Sequence, residues 1–331
     1  MVALRDFVNS RVVNGRQQIR AAVSWHTYGE KVMWPYGYTN ADLPRSMSGD
    51  YLAALRAIGT QMASRNGYAA MQMSDLYVFD GSASDWLYNQ HRIIALTVEM
   101  YPLDPSKVGD FYPPDDVIDA QTSRNGDAVM WLLEQADCPY RAASLPQNCG
   151  PLYDDFETGR GWTVDPHGTD TATAGAWERG IPQRTRTAAG LKQTAIVPSG
   201  QAALVTGTAA GAAAGAHDVD GGTTSMLTRA MRLGGSASEG WILTFRYAFA
   251  HNSSARSVDY LSVSVDGAAT PLFTERGFAG NRNAAWIDVS VDLDAFAGQT
   301  IRLLIQASDS GADSLVEAAI DDVRVYQAPA P

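Results

Sequence analysis

Basic clusters are missing from this chain. Lysine and arginine number 25 against 36 aspartates and glutamates, a formal net charge of -11, and the basic residues are scattered. A phosphate backbone is held by a concentrated positive surface, so no nucleic-acid partner is expected. Long apolar runs are missing too. No stretch approaches the ~18 to 20 consecutive apolar residues that a membrane-spanning helix needs, and the Ala/Gly run from Ala209 to Ala216 is small and loop-like. Cysteine is scarce: Cys138 and Cys149 alone, in a segment rich in Pro, Ser and Asn. They suit one local disulfide in an exported protein, or two buried thiols.

What remains is an ordinary globular composition, 45% hydrophobic and 18% charged over 331 residues, enough for two cores. The opening "MVALRDFVNSRVV" carries charges at Arg5, Asp6 and Arg11 and an amphipathic period through Leu4, Phe7, Val8 and Val12. It reads as a helix, with no signal-peptide core. Up to about Gly150, helical patterns (Ala3 to Asn14, Gly49 to Arg65, Thr122 to Asp137) alternate with short apolar runs (Ile19 to Trp25, Leu76 to Phe79, Arg92 to Met100). This alternation predicts an α/β domain over 1–150. From Pro151 the texture turns to Gly, Thr, Ser and Ala with alternating runs such as "WILTFRYAF", "DYLSVSVDG", "TIRLLIQAS" and "AAIDDVRVY". Short alternating strands between Gly-containing turns predict an all-β sandwich over 151–328.

Among residues able to do chemistry, Glu99 stands out because it ends the apolar run "RIIALTVEMYP". A carboxylate there is either an ion-paired core acid or a catalytic one. Thr97, two residues earlier, shares its face if the strand is regular. His26 ends "AAVSWH", where a strand-end histidine is either hydrogen-bonded or a metal ligand. Tyr77 on its own reads as an interface tyrosine.

The stretches "SWHTYGEKVMWPYGYT", "DLYVFDGSASDWLYNQHRIIALTVEMYP" and "FYPPDDVIDAQTSRNGDAVMWLLEQADCPY" resemble the second half of a zinc carboxypeptidase of the M14 family, of the bacterial carboxypeptidase T type. The resemblance covers about Ala3 to Cys149 and implies an incomplete mixed-sheet catalytic domain. It implies that His26 is a zinc ligand, Glu99 the general base, Tyr77 a mobile tyrosine closing on substrate and Tyr28 a substrate contact. Thr97 and Ser84 are implied to line the pocket for the C-terminal side chain. It also implies cis peptide bonds at Thr27-Tyr28 and Pro35-Tyr36, with Met100-Tyr101 a third. In such an enzyme zinc polarises the scissile carbonyl and its water, and a carboxylate takes the proton.

The family's other two zinc ligands come from an early His-x-x-Glu motif. This chain has five histidines and none has Glu at that spacing; His167 and His217 have Asp170 and Asp220 three places on. One histidine does not hold a catalytic zinc, which takes three protein ligands. The chain by itself is therefore expected to be inactive. Ser82, Ala83 and Ser84 supply no acid to the pocket, although Asp80 is close, which favours neutral or apolar C-terminal residues.

"DDFETGRGWTVD" and "SLVEAAIDDVRVY" resemble the first and last strands of MAM-like jelly-roll modules. If those strands lie together, Asp155 and Glu157 meet Asp321 and Asp322, and oxygen ligands of this kind suit Ca²⁺. Otherwise they are solvated turn and cap residues. The expectation is thus a secreted monomer, its signal peptide upstream, acting on peptide or protein C-termini. The alternative is a non-catalytic secreted protein whose jelly roll binds a glycan or protein surface.

Overall fold

The computed structural model describes residues 2–13, 16–107, 111–159, 161–235, 240–311 and 314–327. It divides into two compact units, Met1–Cys149 and Gly150–Pro331. Asn14, the end of the expected first helix, and residue 328, the end of the expected second domain, lie outside the described residues.

The first unit is mixed α/β. Among the described residues its main sheet has four strands, β1 (Ala21–Thr27), β2 (Lys31–Trp34), β3 (Ala69–Gln72) and β4 (Ile94–Met100), in the order β1-β4-β2-β3. β4 runs parallel to β1 and antiparallel to β2, and β2 is parallel to β3. As an inner strand, β4 buries Ile94, Ala95, Leu96 and Val98, which explains its near-continuous apolar run. β1 ends the sheet, and all its residues are half-buried or exposed.

Among the described residues five α-helices accompany the sheet: α1 (Val2–Ser10), α2 (Gly49–Asn66), α3 (Ala83–His91), α4 (Ile118–Ser123) and α5 (Gly126–Gln135). α2 buries Tyr51, Leu55, Ile58 and Met62, spaced three or four apart on one face. The Ser48 hydroxyl accepts from the Tyr51 amide at its start, and Gly67 closes it at φ 72°. Gly59 is required by close approach, since a Cβ there would lie 2.7 Å from the Trp34 ring. The single helix expected over Thr122 to Asp137 is instead the pair α4 and α5. The break falls where Arg124 reaches Glu30 and Asn125 bonds Asn66. The Leu76 to Phe79 run is irregular and follows a short 3-10 turn at Met73–Asp75. Cys138 and Cys149 are disulfide-bonded. Cis peptide bonds occur at Thr27-Tyr28, Pro35-Tyr36 and Tyr101-Pro102, and not at Met100-Tyr101.

The second unit is mostly β. Its strands are β5 (Leu152–Asp154), β6 (Thr163–Val164), β7 (Trp177–Gly180), β8 (Thr185–Thr187), β9 (Gly190–Gln193), β10 (Ala203–Thr206), β11 (Gly222–Leu227), β12 (Trp241–His251), β13 (Tyr260–Val265), β14 (Phe273–Arg276), β15 (Ile287–Asp292), β16 (Leu303–Asp309) and β17 (Val316–Gln327). One sheet runs β15-β12-β17-β10-β7, with β5 also paired to β17; the other runs β14-β13-β16-β11-β6. Leu204, Phe245 and Ile320 of the first sheet and Met226, Val263 and Ile305 of the second join one apolar cluster, a jelly-roll-like layering. In "WILTFRYAF" the alternation holds: Trp241, Leu243, Phe245, Tyr247 and Phe249 all enter that cluster.

β17 does not alternate so simply. Ala318 and Ile320 enter the cluster, and so do Val323 and Val325, so the inward positions change from even to odd. Between them the β12–β17 register shifts: Thr244 opposes Arg324 but Arg246 opposes Asp321. One extra residue on β17 makes a bulge, with Asp322 at φ 53°.

Candidate functional site

His26 and Glu99 are register partners on the parallel strands β1 and β4. The His26 ring nitrogen Nδ1 lies 3.3 Å from Glu99 Oε2 and 2.7 Å from the Thr27 carbonyl oxygen. The histidine side chain is 68% exposed and the glutamate 13%, so a shielded carboxylate sits behind an open imidazole. Thr97 shares the face of Glu99, and its hydroxyl is 2.9 Å from that of Ser84 in the first turn of α3. The Ser82 hydroxyl caps that turn, accepting from the Ser84 and Asp85 amides.

The tyrosines stand apart from these pairs. Tyr28 packs edge-on against Phe111 with centroids 5.1 Å apart, and Tyr77 packs against Phe79 at 5.2 Å. Among the described residues neither hydrogen-bonds His26, Glu99, Thr97 or Ser84. Both are exposed.

Two supports of this site went unread in the sequence. Arg124 donates to both Glu30 oxygens, at 3.0 and 3.1 Å, and so pins the turn that follows Tyr28. Asp85 accepts from the Gly37 amide through both oxygens, at 3.1 and 3.0 Å. Burial pushes the Asp85 carboxyl up despite that bond. The cap sequence "SASD" is the signal that places Asp85 on a helix start. Glu30 and Arg124 lie 94 residues apart, and no local pattern pairs them.

Of the four acids expected to hold calcium, Asp155, Asp321 and Asp322 come near one another, since β5 pairs with the end of β17. Among the described residues no calcium site is found, and Glu157, Asp321 and Asp322 engage protein groups. The Glu157 carboxylate accepts from the Gln201 and Ala202 amides at 2.7 Å each. Asp322 pairs with Arg246 and Arg324 and accepts from the Ser199 hydroxyl. Asp321 accepts from the Asp322 amide, and burial followed by the charges of Asp322 and Asp155 pushes it well up. His167 and Asp170 do not pair: His167 bonds Asp266, and Asp170 accepts from Ser225.

Among the described residues no group of three or more His, Cys, Asp or Glu side chains could hold a metal ion. His26 and Glu99 supply two donors at most, so the residues of this site do not by themselves fit a catalytic zinc. No described helix is long and apolar enough to cross a membrane.

Residues 1–127 match the profile of the zinc carboxypeptidase family, peptidase M14. A zinc carboxypeptidase of Saccharothrix mutabilis subsp. capreolus is 47% identical over 132 residues, 40% of this chain and 30% of that protein. Human carboxypeptidase A1 is 29% identical over 122 residues, 34% of this chain and 28% of that protein. The chain thus spans less than a third of the length of these relatives. Among solved structures, the K3 cleaved adhesin domain of Lys-gingipain from Porphyromonas gingivalis covers 53% of this chain and 95% of its own at 13% identity and TM-score 0.28. The CBM22-1 xylan-binding domain of Paenibacillus barcinonensis Xyn10C covers 54% and 95% at 13% identity and TM-score 0.26. Residues 1–127 are a zinc-carboxypeptidase-like region, followed by a jelly-roll-like β unit.

Proposed function

We propose that the α/β unit is part of a metallocarboxypeptidase site that releases C-terminal residues from peptides, of the carboxypeptidase T type, and that this chain alone performs no turnover. The observation that carries this reading is the side-by-side placement of His26 and Glu99 within the family-matched stretch. Glu99 is the proton acceptor, His26 one ligand of the metal that the relatives' names specify, and Tyr28 and Tyr77 substrate contacts. Thr97 and Ser84, two uncharged hydroxyls, line a pocket for neutral or apolar terminal side chains. The Cys138–Cys149 disulfide supports an exported, secreted protein.

Two measurements test this. Zinc titration by calorimetry and turnover of a peptide with a free C-terminus should both be negative for the chain alone; zinc-dependent release of a terminal residue overturns the inactivity. Placing residues 1–127 in the matching stretch of the Saccharothrix enzyme should give an active chimera. Glu99→Gln in that chimera should lower kcat by about 10² to 10⁴, the usual range for a lost general base, with zinc retained. An active Glu99→Gln chimera removes Glu99 from the mechanism.

A second reading has its own observation. On the face of β12, β15 and β17, Thr244, Arg246, Asp288, Ser290, Asp322 and Arg324 line an open groove of about 300 Å³. Its fixed fork-shaped side chains suit a polyhydroxyl ligand, in keeping with a glycan-binding β unit. The MAM-like likeness of residues 153–326 belongs with this reading. A glycan array on the intact chain, repeated with Arg246→Ala, tests it, and binding that survives the substitution places the ligand elsewhere.

A further inference from the structure

Among the described residues, one end of the β unit gathers carboxyls that form no ion pair. Asp218 lies before β11, Asp259 immediately before β13, Asp309 ends β16 and Glu317 is the second residue of β17. The ladders bring these ends together: Tyr260 pairs with Ser308, which leaves Asp259 beside Asp309, and Gly222 pairs with Asp309. Exposure is 1% for Asp218 and Asp259, 2% for Asp309 and 5% for Glu317.

Backbone amides cross-link the cluster. Asp259 accepts from the Ser310 and Arg256 amides at 3.1 and 2.7 Å. Asp309 accepts from the Ser314 amide and hydroxyl, both at 3.1 Å, and Asp218 from the Val316 amide at 2.9 Å. Glu317 Oε1 accepts from the Thr185 hydroxyl at 3.2 Å. Two oxygens remain without a donor, Asp218 Oδ1 and Glu317 Oε2.

The charged groups of the surrounding elements go elsewhere. The Arg256 guanidinium donates to the carbonyls of Ser253, Ser254 and Ala255. Lys192 donates to the His251 and Arg282 carbonyls and to Asn281, and Arg282 pairs with Glu275. His251 is buried beside Lys192 and Arg282, and burial lowers its pKa. Asp220 adds a further negative charge near Asp218, and Asp313 lies outside the described residues. Among the described residues, none of the four acids has an ion pair.

A buried carboxylate oxygen with no donor is strongly disfavoured, and the smallest species that satisfies it is a proton. We propose that Asp218, Asp259, Asp309 and Glu317 form a proton-loaded latch, which ties the ends of β11, β13, β16 and β17 together in mildly acidic surroundings and releases them in alkaline ones. The titration agrees: burial first, then neighbouring acids, pushes Asp309 to about 6, Asp218 to about 7 and Glu317 to about 8. Each folded value exceeds the unfolded one, so the folded state binds more protons and the latch weakens as pH rises through these values.

Hydrogen exchange of the intact chain reads this directly at the Arg256, Ser310, Ser314 and Val316 amides, all of which donate into the cluster. After correction for intrinsic exchange, their protection should fall about tenfold or more between pH ~5.5 and ~8.5, while core amides of β12 hold. Glu317→Gln, and independently Asp309→Asn, should flatten that dependence. Protection unchanged across this range overturns the latch, as does full pH dependence in both variants. Calcium chloride at about 1 mM, compared with a chelator, should make no difference. Calcium-restored protection at pH ~8.5 overturns the proton latch in favour of a cation site.

Discussion

β4 and β17 are both strands of mostly apolar character, and both carry acids, yet they sit in differently finished surroundings. β4 has neighbours on both sides, but one of them, β1, leaves Trp25 41% exposed at the sheet's end. Nearby, α1 leaves Val2, Leu4 and Phe7 at 62, 38 and 54% exposure. β17 is flanked by β12, β10 and β5, and every residue from Val316 to Val323 is buried. The comparison teaches that a strand's own composition does not set its stability. Coverage by neighbours does, because apolar area stabilises only when it leaves water.

Truncation in the β core should produce the largest effect. Leu204→Ala, fully buried in the cluster shared by both sheets, should cost the β unit about 3 kcal/mol, measured by denaturant unfolding. Trp25→Ala on β1 should change the α/β unit by less than about 1 kcal/mol, because much of that ring is already in water. Equal losses would break the contrast.

Limited proteolysis should come next, cutting the α/β unit first and leaving a fragment that starts near residue 150, since an uncovered sheet end opens locally. A protected N-terminal half would reverse the comparison. Reduction of Cys138–Cys149 should sharpen it. The bond closes a loop of eleven residues' separation within the first unit, so its loss should destabilise that unit by about 2 to 3 kcal/mol and leave the second unmoved.

pH should move the units apart as well. Asp218 and Glu317 titrate near 7 and 8 in the folded state, above the ordinary carboxylate range. Their stabilisation is full below the unfolded value, near 4, and is lost as pH rises through the folded values. The β unit's melting temperature should therefore fall between pH ~5 and ~9, by a few degrees. A small effect is expected at the site's frame, where Arg124→Ala removes a half-buried bidentate pair to Glu30 and should cost the α/β unit about 1 kcal/mol.

The sequence made β1, β4, α2 and the long β strands legible because each carries a period of its own or a continuous apolar run. The pairing of His26 with Glu99 was legible only through family likeness, since their meeting depends on register between strands 73 residues apart. What stayed hidden has a common physical form. β2 and β3 are four residues each, too short for a period to show. The α4/α5 break and the Glu30–Arg124 pair are decided by contacts across the fold. No calcium site is found among the described residues, and Glu157, Asp321 and Asp322 meet amides and guanidiniums that no spacing reveals.

The bulge in β17 has a consequence for how this protein tolerates genetic change. The bulge takes up one surplus residue at Asp321–Asp322, because the four steps from Leu243 to Tyr247 on β12 face five from Ile320 to Val325 on β17. Loss of a single codon there would make the two stretches equal, so that Ile320, Val323 and Val325 alternate inward in a regular ladder. Along this strand an in-frame deletion at the bulge should therefore be milder than one within the regular ladder, a form of tolerance that an amino-acid scan would never record.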